Sequence, residues 1–340
     1  MAVDHRFDVT AIGNAIVDVL AKADNALLER HGLRKGAMTL IDATDAERLY
    51  ATMGSGREIS GGSAANTAAF VAALGGRAAY IGKVADDQLG DVFAHDIRAV
   101  GVTYDTPRLT EGLSTARCLI FVTPDAQRTM QTFLGATTQL GPEDVDMDYI
   151  TASKVVYLEG YLWDQARAKQ AMRDAAIKAH EAGVKVSLTL SDAFCVDRFR
   201  AEFLELAENH VDILFANESE IRSLYRVERF EDALPLVREH CEIAALTRSE
   251  KGSVVVHHND VHVIEAEKGV KVVDTTGAGD AYAAGFLYAY THGHTLTSCG
   301  RLAGVMAAEV ISHYGARPEA DVKALAARTL GAPGVLRTGR

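Results

Sequence analysis

The sequence predicts an α/β fold, a central and mainly parallel sheet flanked by helices on both faces. Two observations carry this. Apolar strand-like runs alternate with helical patterns over most of the 340 residues, and no internal repeat, low-complexity tract or long linker divides the chain. Strands separated by helices imply βαβ crossovers and hence parallel pairing. A chain of this length can form one large α/β domain or two modest ones, and the missing linker favours one.

The elements follow in order. Residues 7–13 (FDVTAIG) read as the first strand, 64–74 as a small-residue helix and 78–82 as a second strand. Residues 154–158 (KVVYL) read as a strand, and 167–182 as an amphipathic helix closed by Gly183. Two further strands are expected at 184–190 and 211–215. Towards the C-terminal end, the apolar run GVKVV (269–273) reads as a strand ahead of another small-residue helix containing AYAAGFLYAY. Two regions break the alternation, 16–59 and about 114–133. They hold short β-type stretches, including STARCLIFV and its return TMQTFL across a Pro124-Asp125 turn. These excursions are either two surface hairpins or, meeting in space, one small sheet beside the core. The last residues, 331–340 (GAPGVLRTGR), read as a frayed tail.

Composition bounds the function. With 48% hydrophobic and 24% charged residues, the chain is ordinary for a globular protein. A net charge of -11 argues against nucleic acid or an anionic membrane as the main partner. A phosphorylated ligand would therefore be held by a few basic residues or by backbone N–H groups. Cys118, Cys195, Cys241 and Cys299 are far apart and form no CxxC pair, a pattern of reduced, buried thiols. The segment MAVDHRFDVT lacks a signal-peptide apolar run, and no stretch approaches a membrane span. A cytoplasmic protein is expected. The twelve histidines show no HExxH or Cys/His spacing, so no structural zinc is expected.

The strongest local signal is Asp274-Thr275-Thr276-Gly277-Ala278-Gly279-Asp280 at the start of a helix. Gly277 and Gly279 permit a tight turn and leave backbone N–H groups uncovered where the helix dipole favours developing anionic charge. A carboxylate at Asp280 can orient a hydroxyl and take its proton as it attacks phosphorus. Taken alone, such a turn is more often a cap. However, the chain has no GxxxxGK[ST] (Gly82-Lys83 is followed by Val84) and no GxGxxG after its first strand. This turn is the best phosphate site it offers.

DTTGAGDAYAAGF resembles the C-terminal signature of the ribokinase-type (PfkB) carbohydrate kinases. Three other segments fall in that family's order: Gly61-Gly62-Ser63-Ala64-Ala65-Asn66, its di-glycine motif; IGKVADDQLGD (81–91), its G-x-D-x-x-G region; and Asn217-Glu218-Ser219-Glu220, its NxxE motif. Within the family, Ile12-Gly13-Asn14 with Val17-Asp18, VSLTLSDAF (186–194), VDILFANESE (211–220) and EGYLW (159–163) are most similar to adenosine kinases. Thr276 departs from the Asn usual in that subfamily and leans towards ribokinase-like members.

The resemblance implies a ribokinase-like fold over residues 1–330, with a discontinuous β-lid from about 16–59 and 114–133. It implies ATP and Mg²⁺ as cofactors and a 5′-type hydroxyl of adenosine or a similar nucleoside as acceptor. Asp280 would be the base, and backbone at Gly277, Ala278 and Gly279 would hold the transferring group. Asp18 would accept from ribose hydroxyls, with Asn14 nearby. Gly61 and Gly62, just ahead of Ser63 as helix N-cap, would be the bend of the lid, with Asn66 on a ribose hydroxyl. Arg128 would approach the phosphate chain and Tyr161 the substrate. Asn217 and Glu220 would organise Mg²⁺ largely through water, or form a capping arrangement, or both. Thr247, Gly252 and Thr275 would lie on the ATP side, and Asp274 and Thr276 at a monovalent cation such as K⁺.

Leu20, Leu40, Phe133, Tyr161 and Trp163 would give an apolar lid suited to a purine. A phosphosugar would instead need clustered basic residues, of which Arg117 and Arg128 are the obvious ones. A kinase for ribose, fructose or a related sugar is the main alternative, and a non-catalytic nucleoside-binding protein of the same fold a lesser one. The partners expected are the acceptor and ATP, in a monomer or homodimer.

Overall fold

A computed structural model describes residues 5–125 and 127–331. Its strands are β1 (Phe7–Ile12), β2 (Ile16–Lys22), β3 (Met38–Leu40), β4 (Gly56–Gly61), β5 (Ala78–Ile81), β6 (Ala116–Val122), β7 (Arg128–Phe133), β8 (Ser153–Glu159), β9 (Lys185–Thr189), β10 (Ile213–Asn217), β11 (Ile243–Thr247), β12 (Ser253–His257) and β13 (Asp260–Ile264). Eight form the main sheet, in the order β13-β12-β11-β10-β9-β8-β1-β5. Neighbours run parallel from β5 to β11, and only β12 and β13 are antiparallel.

The apolar runs in the sequence have a direct cause. Both faces of this sheet are covered by helices, so successive side chains enter different cores. In β8, Val155 and Tyr157 join a core with the helices Ser63–Leu74, Ala278–Thr291 and Leu296–Val310. Val156 and Leu158 join the other core, with Ala166–Glu181, Ala193–His210, Glu218–Tyr225 and Phe230–His240. Register then sets where the strands end. Ile12 is level with Ile81 and Leu158, Thr189 with Glu159 and Phe215, and Asn217 with Thr247. The carboxyl ends therefore arrive together at one edge, where open α/β sheets hold ligands.

The two β-type excursions meet as a second sheet, in the order β3-β7-β6-β2-β4. Asp18 is level with Ile59 on one side and Cys118 on the other. One face, with Val17, Val19, Leu119 and Phe121, packs into the first core. The other presents Asp18, Leu20, Ile59, Ile120 and Arg128 to a cleft.

Two local expectations are corrected. GVKVV is not a strand. The main sheet ends at β13, and 269–273 lies beyond it: Val273 N donates to Ile311 O at 2.8 Å, and Val272 is 60% exposed. Apolar content alone could not supply a neighbour to pair with. Nor is Ser63 a helix cap. Gly62 holds the N-cap position without a side-chain bond, and Ser63 is the first helical residue. Of the tail, residues 332–340 lie outside those described. All four thiols are free and buried. Among the described residues, no helix is long and apolar enough to cross a membrane.

Candidate active site

Asp280 is the third residue of the helix Ala278–Thr291 and sits in its first turn. Its carboxylate accepts from Ser63 Oγ at 2.6 Å and from Asn66 Nδ2 at 2.9 Å. The di-glycine helix thus holds the signature aspartate from the opposite side. Burial pushes the Asp280 pKa up to about 6, against the pull of Ser63, Asn66 and the Arg317 charge. Gly277 is required on two grounds: its φ is +77°, and a Cβ there would come within 2.7 Å of Ala316 Cβ. The Ala278 N–H turns back to Thr275 O at 3.2 Å, so the orphan N–H groups at the head of the helix are those of Gly279 and Asp280.

Across the cleft stands Asp18, whose pKa burial raises to about 7 against the charges of Arg317 and Arg128, with Asp280 adding to the rise. The backbone of Gly61 passes so close that a Cβ would lie 2.5 Å from Asp18 Oδ2. Arg128, on β7, reaches the signature segment instead of open solvent. Its Nη1 lies 2.8 Å from Asp274 Oδ2 and 3.4 Å from Thr276 Oγ1, while Nε and Nη2 have no partner. Asp274 also accepts from Thr276 N, Thr276 Oγ1 and Gly315 N. The position expected for a monovalent cation is therefore ringed by donors and a guanidinium.

Asn14 is buried behind Asp18 with both ends of its amide engaged. Nδ2 donates to Glu159 Oε1 at 2.7 Å, and Oδ1 accepts from Thr137 Oγ1 at 3.0 Å. Glu159 also accepts from Ala64 N at 2.8 Å and so caps the helix that Gly62 leaves uncapped. Burial raises its pKa to about 7, against the bonds from Ala64 and Asn14.

Further along the edge, Asn217 and Glu220 form a full capping box at the helix Glu218–Tyr225. Glu220 Oε2 accepts from Asn217 N at 2.9 Å, and burial raises its pKa to about 7. Thr247 ends the neighbouring strand, level with Asn217. Gly252 lies in the turn leading to β12, and Thr275 is exposed just ahead of the helix.

Several expected lid residues lie elsewhere. Trp163 has no exposed surface. It packs on Phe203 with ring centroids 5.4 Å apart and donates to Glu202 from Nε1. Phe133 and Arg117 are level with each other on the face of the second sheet turned away from Asp18, where Arg117 lies over the Tyr50 ring. The strand alternation that puts Arg128 in the cleft excludes them. Tyr161, 40% exposed, donates from its hydroxyl to Ser191 O and is not part of the cleft wall beside Asp18. Leu20 lines the cleft, and Leu40, on the same face, is 54% exposed. Sequence reasoning missed Ser63 as a partner of Asp280, Glu159 as a remote cap, and Arg317 altogether. The one local signal was a glutamate ending an apolar strand; Arg317, in the stretch HYGARP (313–318), offered none.

Comparison with known proteins accords with this geometry. The model of the pfkB family of carbohydrate kinases matches residues 36–323. An ATP-dependent ribose-1-phosphate kinase from Halopiger xanaduensis is 32% identical over 82% of this chain and 88% of that protein. Adenosine kinase from Saccharomyces cerevisiae is 26% identical over 90% of this chain and 95% of its own. The crystal structure of adenosine kinase from Sinorhizobium meliloti is similar with a TM-score of 0.87 at 54% identity, covering 95% of this chain and 99% of that one. A probable sugar kinase from Rhizobium etli gives 0.88 at 51%, covering 95% and 98%. The chain belongs to the pfkB family of carbohydrate kinases and has its ribokinase-like α/β fold.

Proposed function

We propose that this pfkB-family kinase transfers the γ-phosphoryl group of ATP to the 5′-hydroxyl of adenosine or a similar nucleoside. The observation that carries the reading is Asp280. It is held at a helix start by Ser63 and Asn66, and Asn66 itself lines the cleft shared by Asp18 and the apolar Leu20, Ile59 and Ile120. In this reading Asp18 takes a vicinal diol and the apolar side chains take the base. Asp280 accepts the proton of the attacking hydroxyl while its oxygen bonds to phosphorus and the bond to the β-phosphate oxygen breaks. The Gly279 and Asp280 N–H groups stabilise the transferring group. A pKa near 6 keeps the base ionised at neutral pH while making it a better proton acceptor than a solvated carboxylate.

Mg²⁺, when bound, would neutralise charge on the phosphates. Glu220 fits a water-mediated role, since Asn217 satisfies both carboxylate oxygens once and leaves further lone pairs for waters. The second sheet acts as a lid bending at Gly61-Gly62 and excluding water. Its contact to the main body through Arg128 and Asp274 supports that role. Four free, buried thiols support a cytoplasmic setting.

A second reading is a kinase for a sugar or phosphosugar. It draws on Thr276 and on Arg317, which joins Arg128 in the cleft wall. A kinase assay across adenosine, inosine, guanosine, ribose, ribose 1-phosphate and fructose separates the two. Adenosine is expected to give the highest kcat/KM, and adenosine turning over no faster than the sugars would overturn the nucleoside reading.

A further inference from the structure

Arg317 belongs to none of the motifs above, yet it ties together the parts of the site that matter most. Its Nη2 donates to Ser60 O at 2.6 Å and to Ser60 Oγ at 2.8 Å, and its Nη1 donates to Ala65 O at 3.2 Å. Ser60 is the next-to-last residue of β4, just before Gly61-Gly62, and Ala65 lies in the first turn of the helix beyond them. One guanidinium therefore grips the bend from both sides. Ser60 is fixed in turn by Asp96, whose Oδ2 accepts from Ser60 N at 2.9 Å and from Ser60 Oγ at 2.6 Å.

The charge of Arg317 is placed differently from its hydrogen bonds. Among the described residues, no carboxylate forms a direct ion pair with it, and its buried Nε has no partner. The acceptors it uses are two carbonyls and a hydroxyl, so its charge is not consumed by any single acid. It acts on Asp18, Asp280 and Asp96 together. The charged or titratable groups that face these acids are Arg128 on β7, Cys118 on β6, Glu159 and Tyr157 on β8 and Tyr161 just beyond it, while Tyr80 on β5 faces Arg317 itself. Two carboxylates sharing one buried cleft oppose each other's ionisation unless a cation stands between them.

We propose that Arg317 is a positioning residue of the phosphoryl-transfer site. Its bonds to Ser60 and Ala65 fix the Gly61-Gly62 bend, and its shared charge favours the ionised forms of Asp18 and Asp280 across one cleft. The inference rests on the reading of Asp280 as base and Asp18 as diol acceptor, and it is testable apart from that reading.

The experiment compares wild type, Arg317→Gln, Arg317→Lys and Asp280→Asn. It uses ¹³C NMR titration of the aspartate carboxyls, without substrate, alongside the pH profile of kcat/KM with ATP and adenosine. The Asp280 resonance is assigned by its loss in Asp280→Asn. In Arg317→Gln the Asp18 and Asp280 midpoints and the acid limb of kcat/KM are expected to move up by about one pH unit. Arg317→Lys, which keeps the charge and loses the fork, is expected to restore the midpoints while KM for adenosine stays raised severalfold. Unmoved carboxyl midpoints in a folded Arg317→Gln would overturn the proposal. If Arg317→Gln does not fold, raised midpoints in Arg317→Lys do the same. An Asp280→Asn variant with normal turnover would instead overturn the base assignment, leaving the carboxyl titration to decide on Arg317.

Discussion

Replacing Asp280 with Asn is expected to make the protein less active and more stable. Burial raises this carboxyl from its ordinary 3.8 to about 6. The folded state thus binds the proton more tightly than the unfolded chain, so stability falls as pH rises between those two values and stays lower above them. A shift of about two units corresponds to ~3 kcal/mol, and partial access from the cleft reduces this to ~2 kcal/mol at pH 7. An asparagine of the same shape carries no such charge. Its Oδ1 can accept from Asn66 Nδ2, and its Nδ2 can donate to Ser63 Oγ after a turn of that hydroxyl, so neither bond at 2.6 and 2.9 Å needs to be lost. Tm at pH 7 should rise by about 3 °C. Turnover, deprived of the base, should fall by about 10²–10⁴-fold. Differential scanning calorimetry and steady-state kinetics at pH 5 and pH 8 read both, and the Tm gain should shrink at the lower pH. Near-normal kcat would remove Asp280 from the base role. A lost activity accompanied by a lower Tm would show that the aspartate serves the fold, and the reasoning from burial would be wrong.

Gly61→Ala puts a methyl carbon 2.5 Å from Asp18 Oδ2, so KM for the acceptor should rise about tenfold or more while KM for ATP changes little; unchanged acceptor KM would clear Asp18 of substrate contact. Arg128→Ala removes one partner of an ion pair whose side chains are only 8% and 7% exposed. Asp274 keeps its bonds from Thr276 and Gly315, which places the cost near the low end of the range for a broken buried pair, ~3 kcal/mol by denaturant unfolding. The same variant should lose kcat more than affinity for adenosine, which single-turnover kinetics with ATP and adenosine would measure.

The main sheet was legible because strands buried on both faces must be apolar throughout. KVVYL is apolar past Lys154, and the two polar side chains of FDVTAI are both paired, Asp8 with Lys154 and Arg77 and Thr10 with Ser153. GVKVV carries the same signal without the neighbour that would make it a strand, and apolar content cannot distinguish the two cases. In the second sheet, the excursions were visible but their faces were not. Whether Phe133 looks into the cleft or away from it depends on its register with Arg117, which single-chain spacing does not encode. Trp163 was misread for a related reason: an aromatic near a site motif is equally at home in the core, and Phe203, forty residues later, draws it inward. The partners of Asp280 were quoted as motifs, yet the bond from Ser63 joins residues 217 apart in sequence. Arg317 gave no local signal, because its role exists only once the C-terminal loop lies against β4.

The pairing of β2 with β6 sets an order of assembly. Ile16 lies beside Ala116, a hundred residues later, and β4 and β7 are added to that pair from either side. Closing so large a loop costs entropy that is recovered only when the main sheet has already brought both excursions to its edge. Strands β8 to β11 can form from crossovers of local length, and once β1 has joined β8, with Phe7 beside Ser153, the body that carries the small sheet is in place. During refolding, compactness and secondary structure therefore come first, and the cleft between Asp18 and Asp280 last. In gentle denaturation the same cleft should open while the main sheet still stands, so activity should be lost at a lower urea concentration than the far-ultraviolet circular dichroism of the bulk fold.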